Sequence, residues 1–234
     1  MVYLTSDLHG YPLDKFKALL DRAGFSDDDF LFVLGDVIDR GECSVELLKW
    51  LMMMPNAELI LGNHEAMLLS CAFIFDEVTE STVDAFSSFS LRKLAVWQEN
   101  GGDVTMRELQ RETPETRADI LEYLKDCPLY DAVTVGGRDF LLVHGGLGGF
   151  DEGRALDDYS EHDLLWTRPE LDTVYSRRFT TVIGHTPTVY YDRSFRGRCI
   201  ITDTWIDIDT GAAFGLSPML LRLDDMKEFY TDEA

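Results

Sequence analysis

The sequence predicts an α/β fold built on two sheets, and three observations carry that prediction. The first 70 residues alternate short apolar runs with amphipathic stretches at helical spacing, which is the order of a parallel sheet with crossover helices. Residues ~70–128 show helical patterns and no strand. The remainder is rich in short strands, read as a second, mixed sheet packed on the first.

Taken in order, "VYLTS" (2–6) is a strand, and the helix after it places Leu13, Phe16, Leu20 and Ala23 on one face. "FLFVL" (30–34) is the second strand, followed by a helix that Ser44 is placed to cap, with "MMM" (52–54) as core filler at its end. "AELIL" (57–61) is the third strand and leads into a third helix. "FSLRKLAVWQENGG" and "PETRADILEYLKDC" then form a helical insertion, the second with Pro114 at its start and Ile120, Leu121 and Leu124 on one face. Trp97 with its "NGG" reads as the anchor of that insertion on the core, not as a substrate contact. "LYDAVTV", "DFLLV", "FTTVI", "RCIIT", "WIDID" and "PMLLRL" are the strands of the second sheet, and "TDEA" is a solvated tail. No Pro/Gly/Ser-rich linker and no repeat interrupts the chain, so residues 1–234 read as one domain.

Composition narrows the function. With 45% hydrophobic residues the chain is globular. A net charge of −22 and a pI near 4.4 exclude a nucleic-acid or anionic-membrane partner, either of which needs a basic face. A small phosphorylated substrate stays open, because bound metal supplies positive charge locally. "MVYLTSDLHG" has no secretory pattern, and no segment reaches the ~18 apolar residues of a membrane span. Cys43, Cys71, Cys127 and Cys199 form no C-x-x-C pair, so a reduced, cytoplasmic chain is expected.

The residues just past each apolar run point to chemistry. "VYLTS" ends in Asp7 and His9, "LFVLG" in Asp36, "LILG" in Asn63 and His64, "DFLLV" in His144 and "TTVIG" in His185. Ligands of open α/β sheets bind beyond the carboxyl ends of the strands, so strands that end together bring these residues together. Four of the five histidines sit there; the fifth, His162, suits a surface helix. Mixed imidazole and oxygen donors with no thiolate select Mn²⁺, Fe or Zn²⁺. Asp7, His9, Asp36, Asn63, His144 and His185 are too many for one open ion, so two ions about 3.5–4 Å apart sharing Asp36 are expected. Whether Asn63 or His64 is the ligand is open on these grounds.

"SDLHG", "GDVIDRG", "GNHE", "HGG" and "GHTP", in this order, resemble the calcineurin-like metallophosphoesterases of the phosphoprotein phosphatase type, above all the bacterial and phage Ser/Thr phosphatases typified by bacteriophage lambda phosphatase. The resemblance runs from Asp7 to "DIDTGAAFG" (207–215). It implies a four-layer αββα sandwich of two mixed β-sheets flanked by helices. It implies Asp7, His9 and Asp36 on one metal, and Asp36, Asn63, His144 and His185 on the other. It further implies Arg40 and Arg168 as phosphate ligands, His64 as general acid and Asp39 as its partner. Ser6 stands where the family usually has Gly, and Gly145 where many members have Ala; neither change removes a ligand.

The implied reaction is hydrolysis of a phosphomonoester of the Ser/Thr phosphatase kind, by a hydroxide bridging two divalent ions, Mn²⁺ foremost. His64 protonates the leaving group, Asp39 orients it, and Arg40 offers a planar fork to phosphate. No covalent intermediate is required, and the chain has neither a G-x-S-x-G elbow nor a P-loop. The alternative is a dinucleoside polyphosphate hydrolase. In this resemblance the symmetrical bacterial hydrolases tend to lack the second Asp of "GDVIDRG" and to end "GNH" with Asp, so Asp39 and Glu65 favour the monoesterase. A phosphodiesterase is less well supported on this acidic chain, and a regulator without catalysis is disfavoured because every ligand is present. The glycines of "HGGLGG" suit either tight turns at the metals or an ordinary loop, and Asp209 either a ligand's support or a turn.

Overall fold

A computed structural model describes residues 1–75 and 87–231. The chain runs through β1 (Val2–Thr5), α1 (Leu13–Ala23), β2 (Phe30–Leu34), α2 (Ser44–Met53), β3 (Ala57–Ile60) and α3 (Asn63–Ser70). Next come α4 (Ser88–Glu99), α5 (Gly102–Arg111), α6 (Pro114–Asp126), β4 (Tyr130–Val135), β5 (Arg138–Val143) and α7 (Glu161–Leu165). The last strands are β6 (Thr180–Ile183), β7 (Ile200–Ile201), β8 (Trp205–Asp207), β9 (Leu220–Arg222) and β10 (Lys227–Phe229).

Two five-stranded sheets result, ordered β10-β9-β1-β2-β3 and β4-β5-β6-β8-β7. β1, β2 and β3 are parallel, as are β5, β6 and β8, and antiparallel strands flank each set. β1 to β3 step in one direction across the sheet, so crossovers of one hand put α1 and α2 on the same face.

Strand alternation builds the layers. Leu4, Phe32, Leu34, Ile60 and Leu221 of the first sheet meet Phe140, Leu142, Val182 and Ile206 of the second. Tyr3, Leu31, Val33, Leu59 and Leu220 face the other way, onto α1 to α6. Leu141, Val143, Ile183 and Trp205 pack with Leu164 of α7 and Tyr175. Both faces of the central strands are therefore buried, which is why "FLFVL" and "DFLLV" read as unbroken apolar runs. Each such Leu or Phe contributes roughly 1.5–3 kcal/mol by leaving water. The αββα sandwich implied by the resemblance is the architecture found.

Three readings change, and a fourth falls outside the described residues. "PMLLRL" lies in the first sheet, where β9 pairs antiparallel with β1 and carries the unforeseen β10 beyond it. A short apolar run does not encode which sheet it joins. Ser44 does not cap α2: Cys43 takes that position, and the Ser44 hydroxyl accepts the Asp39 amide at 3.1 Å. Of "MMM", Met52 packs on the core but Met53 is 82% exposed. The "TDEA" reading lies outside the described residues beyond Thr231. By contrast, Pro114 opens α6 behind a Thr113 cap, His162 is exposed on α7, and all four cysteines are free thiols. Among the described residues no helix is long and apolar enough to cross a membrane.

Candidate metal centre

The parallel ladders continue past the strand ends into the turns that carry the candidate ligands. Asp7 N donates to Gly35 O at 3.0 Å and His9 N to Asp36 O at 2.9 Å in the first sheet, and Gly184 N donates to His144 O at 2.8 Å in the second. The hydrogen bonds that cross between the sheets here include His185 N to Asp7 Oδ2 at 2.9 Å and His144 Nδ1 to Leu34 O at 2.7 Å. At this crossing Gly35 and Gly62 touch backbone to backbone, and a Cβ on Gly35 would come within 2.5 Å of the Gly62 Cα.

Seven described non-glycine residues have a left-handed φ, and six are Asp7, His9, Asp36, Asp39, Arg40 and His185. Each such residue costs on the order of 1 kcal/mol or more and persists only where its surroundings over-determine it. That concentration singles out these turns as the candidate site.

Facing donor atoms fall into two groups. Nitrogen and oxygen atoms of His9, Asp36 and His64 lie within 4.8 Å of one another, as do those of Asp36, His144 and His185, all buried. Asp36 belongs to both groups, as expected of a bridge. Asp7 Oδ1 lies 3.9 Å from His9 Nε2, and Asn63 Oδ1 lies 2.9 Å from His144 Nε2. His9 Nδ1 bonds Ile38 O at 3.0 Å and His144 Nδ1 bonds Leu34 O, which leaves each Nε2 for the centre.

These donors fit divalent cations. Asp7 Oδ1 and His185 Nε2 are buried with no hydrogen-bond partner among the described residues. Burial lowers the His9 pKa to about 3 and the His185 pKa to about 2, favouring the neutral imidazole that a metal takes, whereas at His144 the Asp36 charge outweighs burial and raises it to about 10. Burial pushes the Asp7 carboxyl up to about 6, with the Asp36 charge adding to it. Asp207 and Asp209 are raised well above the usual range by burial and by neighbouring carboxylates. Burial also opposes charge on Asp36, yet His144 and His64 hold it well below that range. So many buried carboxylates crowded together favour a guest of positive charge.

Asn63 and His64 point to different partners. His64 Nδ1 meets Asp39 Oδ2 at 2.6 Å, and its Nε2 lies 3.2 Å from Arg40 Nη2. Burial disfavours its charge, but Asp36 and Asp39 outweigh that and raise the His64 pKa. Arg40 Nη1 lies 3.0 Å from His9 Nε2, so its guanidinium spans both histidines. Arg168 donates from Nη1 to His185 O at 3.1 Å and Thr186 Oγ1 at 3.0 Å, which fixes it beside the "GHTP" turn. All ten residues singled out in the sequence thus gather at one end of the sandwich. Beside them opens a cavity of about 310 Å³ lined by His9, Tyr11, Lys15, Arg40 and part of the 212–217 loop, with no carboxylate in its lining.

Sequence reasoning missed the residues that hold this centre. Glu65 accepts the amides of Asp36 (2.8 Å), Val37 (2.8 Å), Ile38 (3.2 Å) and Gly62 (3.1 Å). Its place at the third position of α3, where a carboxylate reaches back over a helix start, was the available signal. Trp97 and Thr105 both donate to Asp39, at 2.8 and 2.6 Å, and no local signal announces that. Asp209 serves its turn: its Oδ1 accepts the Gly211 amide at 2.9 Å and its carbonyl the Thr188 amide at 3.0 Å.

Comparison with known proteins agrees with this geometry. Sequence relatives named bis(5'-nucleosyl)-tetraphosphatase, symmetrical, include one from Pseudomonas fluorescens, 34% identical over 62% of this chain and 42% of its own length. One from Acidovorax is 29% identical over 76% of this chain and 52% of its own, and one from Buchnera aphidicola 36% identical over 37% and 32%. The chain thus matches about a third to a half of the length of these relatives. They bear the name of a nucleotide hydrolase, where the motifs resembled phage Ser/Thr phosphatases. Among solved structures, a putative diadenosine tetraphosphatase superposes with a TM-score of 0.64 at 18% identity, covering 99% of this chain and 94% of that one. A Saccharomyces cerevisiae protein serine/threonine phosphatase gives 0.60 at 15%, covering 100% and 80%. At such identities these likenesses speak for the fold. The calcineurin-like phosphoesterase family profile matches residues 1–206, and with the fold and the donor set in agreement, the chain belongs to that family.

Proposed function

We propose that this protein is a metal-dependent hydrolase of dinucleoside polyphosphates, cleaving a phosphoanhydride bond within the chain of phosphates. The observation that carries the reading is the name shared by the sequence relatives, bis(5'-nucleosyl)-tetraphosphatase, symmetrical, set beside a carboxylate-free cavity next to the centre on an otherwise acidic chain. For diadenosine tetraphosphate, one water adds across the central anhydride and two ADP leave.

In this reading Asp7, His9 and Asp36 hold one divalent ion, and Asp36, Asn63, His144 and His185 hold a second, with Mn²⁺ the proposed ion. Bound there, the pair supplies charge neutralisation for the phosphate and a water acidic enough to attack near neutral pH. Arg40 places two parallel N–H groups on the phosphate oxygens, and Arg168 approaches from the "GHTP" side. His64, held by Asp39, gives its Nε2 proton to the departing oxygen.

That last contact favours a second reading, the Ser/Thr-type phosphomonoesterase. An anhydride leaving group is already a stable anion, whereas an alkoxide needs the proton that His64 and Asp39 are arranged to give. A substrate panel with Mn²⁺-reconstituted protein separates the two. Diadenosine tetraphosphate is expected to exceed phosphoserine peptides in kcat/KM, with ADP as sole product. The reverse order would transfer the assignment to the monoesterase.

A further inference from the structure

The corner between α4 and α5, "WQENGGDVT" (97–105), grips the Asp39–Arg40 turn from one side. Trp97 is fully buried, and its Nε1 donates to Asp39 Oδ2 at 2.8 Å. Thr105 Oγ1 donates to Asp39 Oδ1 at 2.6 Å and accepts the Asp39 amide at 2.9 Å. The Gly101 carbonyl accepts the Arg40 amide at 3.2 Å, and the Asn100 carbonyl accepts Arg40 Nε at 3.4 Å. Asp39 and Arg40 are consecutive left-handed residues, φ 73 and 68, a strained pair that needs such outside support.

The two glycines of the corner are required by the same grip. A Cβ on Gly101, itself at φ 97, would come within 2.8 Å of Arg40 Cγ. A Cβ on Gly102 would strike Trp97 Nε1 and push the indole off Asp39.

The consequence falls on His64. Asp39 Oδ1 is taken by Thr105, while Oδ2 is shared by Trp97 Nε1 and His64 Nδ1. Donors on both oxygens stop the carboxylate from rotating, and the fixed carboxylate sets the plane of the imidazole whose Nε2 faces the centre.

We propose that Trp97 and Thr105 are positioning residues for the His64–Asp39 pair, so that the α4–α5 corner serves the geometry of the reaction. This rests on His64 being the general acid, as proposed above.

The test uses the Mn²⁺-loaded protein, p-nitrophenyl phosphate as an aryl substrate and β-glycerophosphate as an alkyl one. Thr105→Val is nearly isosteric and removes only the hydroxyl; Thr105→Ser restores it. In Thr105→Val and Trp97→Phe, kcat on the alkyl ester is expected to fall about tenfold and on the aryl ester less than about twofold, with Mn²⁺ stoichiometry unchanged. Thr105→Ser is expected to regain the alkyl rate. In the metal-free protein, the downfield imidazole N–H proton resonance that His64→Asn abolishes should persist in Thr105→Ser and broaden in Thr105→Val. Equal loss on both esters, or no loss in either variant, would overturn the inference. If His64→Asn discriminates between the esters and Thr105→Val does not, positioning alone fails. If His64→Asn slows both esters equally, the general-acid assignment falls and this inference falls with it.

Discussion

Glu65 Oε2 accepts the Asp36 amide at 2.8 Å, while Oε1 accepts the Val37 amide at 2.8 Å and the Ile38 amide at 3.2 Å. One carboxylate on α3 thereby satisfies three successive donors of the turn after β2, and the Gly62 amide with them. Burial and the Asp36 charge push its pKa up to about 7, and the amides work against that rise. Glu65→Ala leaves buried N–H groups without acceptors, each at about 1–3 kcal/mol, so a loss of roughly 3 kcal/mol or more is expected. A urea midpoint unchanged from wild type would contradict this.

Asp36 is common to both donor groups, so its loss should disturb both ions. In Asp36→Asn we expect Mn²⁺ content, read by elemental analysis, to fall below one per chain, with activity down on the order of a hundredfold or more. Two ions retained per chain would remove Asp36 from its bridging place.

Chelation should abolish hydrolysis and Mn²⁺ restore it. A second readout needs no substrate. Burial and mutual repulsion push Asp7, Asp207 and Asp209 up, so a cation relieves charge crowding in the folded state alone. Mn²⁺ at a hundred times its dissociation constant is expected to add about 2.7 kcal/mol per site, seen as a rise in Tm. A flat Tm across a Mn²⁺ titration would argue against binding to these groups.

Arg40 presents Nη1 and Nη2 near the Nε2 atoms of His9 and His64. Arg40→Lys keeps the charge but loses the planar fork, so kcat/KM should fall at least about tenfold, with Mn²⁺ content preserved. Near-wild-type turnover in Arg40→Lys would mean that charge alone suffices there.

The gathering of the candidate ligands was largely readable in the chain, because a strand end is a local feature. Asp7, Asp36, Asn63, His144 and His185 each come just after an apolar run, and parallel strands bring such ends together. The features that escaped depend on partners set by packing. Nothing within "PMLLRL" says that β9 pairs with β1 across more than 200 residues. Thr105 reads as one more helical threonine until α5 docks against the Asp39 turn. Ser44 sits where a cap is expected, but its hydroxyl is taken by a strained turn nearby. Trp97 was rightly expected to anchor its helices; the anchorage point is a carboxylate that holds His64.

Asp7, His9, Asp36 and Asn63 come from the first sheet, and His144 and His185 from the second. Coordination by these donors, as proposed, would therefore measure how the sheets seat on each other. A slip of about an ångström across the interface formed by Leu34, Ile60, Leu142 and Val182 would part the donors while each sheet stayed hydrogen-bonded within itself. The apolar residues of that interface, none of them a proposed ligand, would act as the calipers of the candidate metal site. Enlarging or shrinking any of them should change metal affinity before it unfolds the chain.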